Sequence, residues 1–345
     1  MPGLVRGGRG PDDRDRHRAM TRLTLGLLVG LIAAVLFAVA LGETGLTGSQ
    51  YLAALGNPAS DGGVVLWQIR APRAICAFVV GAALGLSGAL LQGLLRNPLA
   101  DPGVLGVSAT AALGAALAIV AGAAALPGAV ELAALAGAGI AGVLLTLVAS
   151  RLSSPEGLIL FGVALSSLAG AVTALVFNLS QSPIATAEVM SWLLGSVQNR
   201  SWIDVAWVTP ALLMAWGLAT LSSRGLRLLT LGEEVAATSG LSLGRLRGVV
   251  VVAAAVATGS AVAVAGVIGF VGLAAPHLVR GLVRGDPGRL LLPSALAGGL
   301  MLVVADLMAR LIPTDQELKL GVFTALVGAP LFALIAWRAA REWRS

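Results

Sequence analysis

The chain carries very little charge for its length. Of 345 residues only 12% are Asp, Glu, Lys or Arg, against 57% apolar, whereas soluble domains average about 25% charged. A water-soluble protein of this size would need a far larger polar surface. One cysteine, Cys76, leaves no partner for an internal disulfide, and two histidines, His17 and His277, cannot build a zinc cluster with it. The single lysine, Lys319, is followed by leucine, so there is no Gly-Lys-Ser/Thr phosphate loop and the chain cannot be a P-loop ATPase by itself. The 45 glycines show no every-third-residue repeat and come with only 15 prolines, which excludes collagen and low-complexity linkers. Hydrophobicity of this order also excludes disorder. The formal charge of +6 is not laid out as a basic stripe with interleaved aromatics, so it does not point to nucleic acid. The arginines instead stand in short clusters between long apolar runs, as in a polytopic membrane protein.

A helix crossing about 30 Å of hydrocarbon needs roughly 20 mostly apolar residues. Ten stretches fit an all-α, ten-span reading: 23–42, 69–95, 103–122, 130–150, 158–179, 203–221, 248–266, 268–284, 290–311 and 320–338. Ten spans put both termini on one side. With that side cytoplasmic, eighteen basic residues lie inside, and Arg70, Arg73, Arg200, Arg310 and Lys319 lie outside, as the positive-inside rule requires. Residues 1–22 then read as a disordered basic cytoplasmic arm, 23–340 as the transmembrane domain and 341–345 as a cytoplasmic tail. The basic start and the triplet Ala38-Val39-Ala40 also permit a cleaved signal peptide, but the apolar run exceeds the roughly 7–15 residues of a signal core. An uncleaved first helix is the reading adopted.

Small-xxx-small pairs such as Gly26/Gly30 and Gly81/Gly85 suit close helix packing in lipid. Residues 137–142, Gly-Ala-Gly-Ile-Ala-Gly, match a dinucleotide-binding string by letter. They lie inside an apolar span with no preceding strand, so they read as packing residues too. An ion-coupled carrier is expected to hold ionisable groups at mid-bilayer. Here the deepest acid is Asp306, four residues before Arg310 and so on the same helix face. An intrahelical pair and a proton site are both open for it, and intrinsic ion coupling has little else in its favour. The segment 222–248 is the longest polar interior stretch. Glu233 and Glu234 suit the positive end of a short helix, and Gly240 suits its left-handed stop. A solvated connector is the plainer alternative.

Several strings in this order resemble one family: Ile69-Arg70-Ala71-Pro72-Arg73; Gln92 to Ser108, with Asn97-Pro98-Leu99-Ala100-Asp101-Pro102-Gly103 inside it; Leu231-Gly232-Glu233-Glu234-Val235-Ala236 with Gly240; and Gly269-Phe270-Val271-Gly272-Leu273 running into Pro276-His277-Leu278-Val279-Arg280. A fifth, Ala305 to Arg310 with Gly328-Ala329-Pro330, completes the set. Over roughly 23–340 the chain resembles the type II ABC importer permeases for iron-siderophore complexes, haem and vitamin B12, the FecCD or BtuC-type family.

The resemblance implies a permease in the bacterial cytoplasmic membrane. It would pair with a second permease subunit, the same or a related chain, and with two cytoplasmic ATPases that hold ATP and Mg. An extracytoplasmic binding protein would deliver the cargo. The permease chain itself would bind no cofactor or metal and catalyse nothing; its expected cargo is a ferric siderophore, with haem or vitamin B12 as the alternative. The resemblance also assigns ATPase coupling to Gly232, Glu233, Glu234, Ala236 and Gly240, and binding-protein docking to Arg70, Arg73 and Arg310. Gate or pathway roles fall to Ser153, Ser154, Asn97 and Pro98, although Pro155-Glu156-Gly157 departs from the family pattern. In the family the string holding His277 is structural. A self-sufficient secondary carrier and a membrane scaffold are the competing classes.

Overall fold

The computed structural model describes residues 11–42, 45–151, 155–283, 285–312 and 317–342. The helices run in the order α1 (Pro11–Ala40), α2 (Gly48–Gly56), α3 (Asp61–Gly63), α4 (Ala71–Leu94), α5 (Val107–Val120), α6 (Ala129–Arg151) and α7 (Pro155–Leu179). They continue with α8 (Pro183–Leu193), α9 (Trp202–Leu229), α10 (Glu233–Thr238), α11 (Leu243–Ala265), α12 (Val271–Arg280), α13 (Pro287–Leu311) and α14 (Leu320–Glu342). No strand occurs among the described residues.

Seven stretches among the described residues are long and apolar enough to cross a membrane, and three shorter apolar helices accompany them, at Val107–Val120, Val271–Val283 and Leu320–Pro330. Each of the ten expected spans falls on one of these. Two helices were not expected. α2 is opened by a capping box between Thr47 and Gln50, and α8 by Pro183 in its first turn with the Ser182 hydroxyl as cap. At nine and eleven residues both are too short for a span-counting argument to find. The N-terminal boundary is also corrected, because α1 is helical from Pro11. A proline followed by Asp12 and Asp13 suits a helix start, so the arm expected over 1–22 is helical in its described part.

α4 is the axis of the molecule. With α3 and a π-helical turn over Val64–Arg70 it forms one continuous rod, Asp61–Leu94, whose span is 89% buried; the span in α7 is only 17% buried. α13, α11, α12 and α9 all pack on α4. The contact with α13 is backbone to backbone. A side chain on Gly81 would run into the Gly298 carbonyl, and one on Gly85 into the Ser294 carbonyl. Only glycine permits this approach, which is how small residues hold helices together in lipid. The Gly81/Gly85 expectation is met there. Gly26 faces open space and Gly30 touches only the end of Leu300 at 3.6 Å, so that pair does no comparable work. The 137–142 string packs as expected: Gly137 lies against the Thr110 carbonyl of α5, and Gly142 against Ala255 of α11.

Candidate functional site

At one end of the bundle the chain leaves α9, turns through α10 and re-enters as α11. The polar connector is shorter than 222–248, since α9 persists to Leu229 and α11 begins at Leu243. Gly232, at φ 105°, breaks the chain away from α9. The far end of α10 closes as a Schellman motif: Leu241 N–H donates to the Ala236 carbonyl at 3.1 Å and Gly240 N–H to Ala237 at 3.0 Å, with Gly240 at φ 81°. Two glycines in conformations hostile to side chains thus delimit a helix of six residues. Ala236 is buried beneath it, and Glu233 accepts two hydrogen bonds from Arg247 Nη2, at 2.9 and 3.0 Å. The outward side carries hydrophobic side chains beside Glu234 and Thr238: Leu231 is 64% exposed and Val235 46%. The short helix read from Glu233, Glu234 and Gly240 is therefore present, clamped at its root and presenting hydrophobic side chains outward.

At the same end, where Gly93 meets Leu226 of α9, lies the turn after α4. Asn97 accepts the Leu99 N–H at 2.9 Å, Asp101 accepts the Gly103 N–H at 2.7 Å, and Arg96 sits at φ 48°. Burial pushes the Asp101 carboxyl upward from its ordinary value, and the Gly103 N–H partly offsets this. Gln92 braces the turn from above, donating to the carbonyls of Ala100 (3.3 Å) and Leu273 (3.4 Å) while accepting from Arg280. Asn97 is thus spent on shaping the backbone, and Pro98 is exposed. Ser153 and Ser154 lie outside the described residues. His277 stands on α12, and no cluster of three metal-ligating side chains occurs among the described residues.

The opposite end holds a buried charge cluster. Arg73, near the start of α4, donates to Asp306 of α13 through Nε (3.0 Å) and Nη2 (2.7 Å), and also pairs with Glu317 ahead of α14 through Nη1 (3.0 Å) and Nη2. Arg310 Nε lies 3.2 Å from Asp306, and its Nη2 donates to the Ala38 carbonyl. Arg70 Nη1 donates to the carbonyls of Ala40 (2.7 Å) and Val39 (3.3 Å). Two arginines therefore cap the C-terminal carbonyls of α1, where cations are favoured.

The structure brings Arg70, Arg73 and Arg310 together, but all three are buried and engaged by their own chain. The intrahelical reading of Asp306 with Arg310 is met and enlarged. Arg73 was missed as a partner because it lies 233 positions from Asp306 and 244 from Glu317, out of reach of any local spacing rule.

Between the two ends, α7 and α14 are thinly covered. Leu160, Leu168, Leu175 and Leu179 of α7 and Leu326 of α14 are exposed. A cleft of about 570 Å³ lies along α14, lined by Leu193, Val267, Val322, Leu326 and Pro330 among others. It offers apolar surface and no charged group.

The sequence model of the FecCD transport family matches residues 30–338. The chain belongs to the FecCD transport family. It is 38% identical over 330 residues to the vitamin B12 import system permease protein BtuC of Salmonella typhimurium and to that of Salmonella typhi, covering 95% of this chain and 98% of each relative. It also superposes, at a TM-score of 0.82 and 31% identity, on a solved structure described as an inward-facing conformation of a metal-chelate type ABC transporter; the match covers 92% of this chain and 99% of that one. This FecCD protein is thus an ABC importer permease, a multi-pass protein of the bacterial cytoplasmic membrane. Membership in this family implies ATPase and substrate-binding partners.

Proposed function

We propose that this chain is the membrane subunit through which a ferric siderophore, handed over by an extracytoplasmic binding protein, reaches the cytoplasm. Transport proceeds by alternating access, energy comes from two separate ATPase subunits, and a second permease subunit completes the pathway. Both termini and α10 lie on the cytoplasmic side in this reading, consistent with the excess of arginine at that end. The observation that carries it is α10: a short helix, fixed at both ends by glycines and at its root by Glu233 and Arg247, with Leu231 and Val235 turned outward. Such an element transmits closure of a partner ATPase as a rigid displacement. Gly232, Glu233, Glu234, Ala236 and Gly240 form that coupling element, and Ser153 and Ser154 remain proposed for the gate.

The cargo would pass along α7 and α14. Weak apolar contact such as the α14 cleft provides suits a conduit, since a pathway that binds tightly cannot release. The buried arginines would keep the receiving end in shape beneath the binding protein. A cobalamin is the second reading, favoured by the 38% identity to the vitamin B12 permeases. The test is ATP-dependent uptake into proteoliposomes holding the permease, its ATPase and its binding protein, with a radio-iron siderophore in one arm and radio-cobalt cobalamin in the other. Iron uptake supports the proposal, cobalt uptake alone replaces the cargo, and ion-driven uptake without nucleotide overturns the mechanism.

A further inference from the structure

α6 and α9 each pack on α11 rather than on one another, which leaves a lengthwise groove of about 460 Å³ with α11 as its floor. Its walls include Gly139, Val143 and Leu147 of α6 and Met214 of α9. Val143 and Leu147 are more than half exposed. Two hydroxyls reach the groove, and both are spent on their own helices: Thr146 donates to the Gly142 carbonyl at 2.7 Å and Ser260 to Ala257 at 3.1 Å. No side-chain donor in the groove is left for an occupant and the rest of the lining is apolar, so the occupant is hydrocarbon over this length. All three helices are membrane spans, which places the groove within the acyl region of the bilayer.

One mouth of the groove is strongly basic. α6 and α11 run antiparallel, with Ala138 facing Gly259, Gly142 facing Ala255 and Thr146 facing Gly248. Continued by one turn, this register sets Arg151 opposite Arg245. At about 1.5 Å per residue, Arg151 lies about 7.5 Å past Thr146 and Arg245 about 4.5 Å past Gly248, at neighbouring depths. On the other wall Gly225 of α9 faces Leu246, which brings Arg224 to the same level. Arg151, Arg224 and Arg245 are exposed, and none pairs with a carboxylate among the described residues. Arg247, by contrast, is committed to Glu233. Moreover, 143, 147 and 151 follow one another at four-residue spacing, so the apolar wall of α6 leads directly to Arg151.

We infer that this groove is a binding site for one anionic phospholipid, its acyl chain lying on α11 between α6 and α9 and its phosphate held by Arg151, Arg224 and Arg245. Apolar length ending in a basic mouth between helices is the geometry that selects acidic headgroups. The site is on the face carrying α10's two flanking helices, so an occupied groove braces the frame of the coupling element. The inference does not depend on the cargo.

Native mass spectrometry of the full-length chain, titrated separately with phosphatidylglycerol and phosphatidylcholine of identical acyl chains, tests it. The wild type should retain one phosphatidylglycerol at least about tenfold more tightly than phosphatidylcholine. R151Q/R245Q, which alters only exposed side chains, should lose roughly 30-fold for phosphatidylglycerol and leave phosphatidylcholine unchanged. Gly139→Leu, at a position with open space beside it, should weaken both lipids. Equal affinity for the two lipids in the wild type, or unchanged phosphatidylglycerol binding in R151Q/R245Q, overturns the site. Efficient disulfide crosslinking of Val143→Cys between two copies in the membrane also overturns it, by giving the groove to a second chain.

Discussion

Arg73 and Asp306, 233 positions apart, meet through hydrogen bonds from Nε and Nη2 to Oδ1, at 3.0 and 2.7 Å, and from Nε to Oδ2 at 3.2 Å, in a setting where Asp306 is 1% exposed. The same guanidinium also holds Glu317, and the same carboxylate also holds Arg310. Removing one partner leaves an uncompensated buried charge, which costs far more than the intact pair contributes. Arg73→Ala should therefore destabilise the permease by about 3–5 kcal/mol, seen as a lower melting temperature of the purified chain in detergent. An unchanged melting temperature would show that the cluster is not formed.

The Glu233–Arg247 pair is a different case, because Glu233 keeps 28% of its side chain exposed. Partly solvated pairs contribute about 0–1 kcal/mol. Glu233→Gln should leave stability nearly untouched while loosening the root of α10. In the reconstituted transporter it should lower the uptake obtained per ATP hydrolysed. Unaltered coupling would separate the clamp from transmission.

Contact between α10 and an ATPase is checked directly. Val235→Cys projects outward and should crosslink to a cysteine introduced on the ATPase surface, whereas Ala236→Cys, at a buried position, should not. Equal crosslinking of both would place the interface elsewhere.

Helix packing offers a contrast between two glycines with similar sequence surroundings. Gly85→Val pushes a branched side chain into the Ser294 carbonyl and should cost about 1–3 kcal/mol or more. Gly26→Val has nothing within reach and should stay within about 0.5 kcal/mol. Thermal denaturation of the two variants side by side measures the difference.

Gly240→Ala addresses the left-handed stop of α10. A β-carbon at φ 81° costs about 1–2 kcal/mol, and the loss should appear as faster hydrogen exchange confined to the α10 turn. Protection equal to the wild type would mean that the turn tolerates a side chain.

The membrane spans were legible because about 20 apolar residues leave an unmistakable trace, and the α10 turn because glycine and glutamate carry local conformational meaning. Gly232, Glu233 and Gly240 announce a helix start and stop within eight neighbours of one another. α2 and α8 were not legible, since neither is long enough to register against the spans around it. The fate of Arg70, Arg73 and Arg310 was hidden for another reason. Arginine near a span end reads as exposed in any one-dimensional view, and only the folded bundle brings Asp306, Glu317 and the last carbonyls of α1 within reach. Likewise Gln92, an isolated polar residue in an apolar run, gains its meaning from Ala100, Leu273 and Arg280 meeting around it.

The glycine-to-carbonyl seam between α4 and α13 leaves no cushion of side chains across which the two rods can slip. They form the keel of the molecule. A rearrangement of the bundle that kept this seam would have to carry α4 and α13 as one body, and the proposed pathway helices α7 and α14 stand outside the seam.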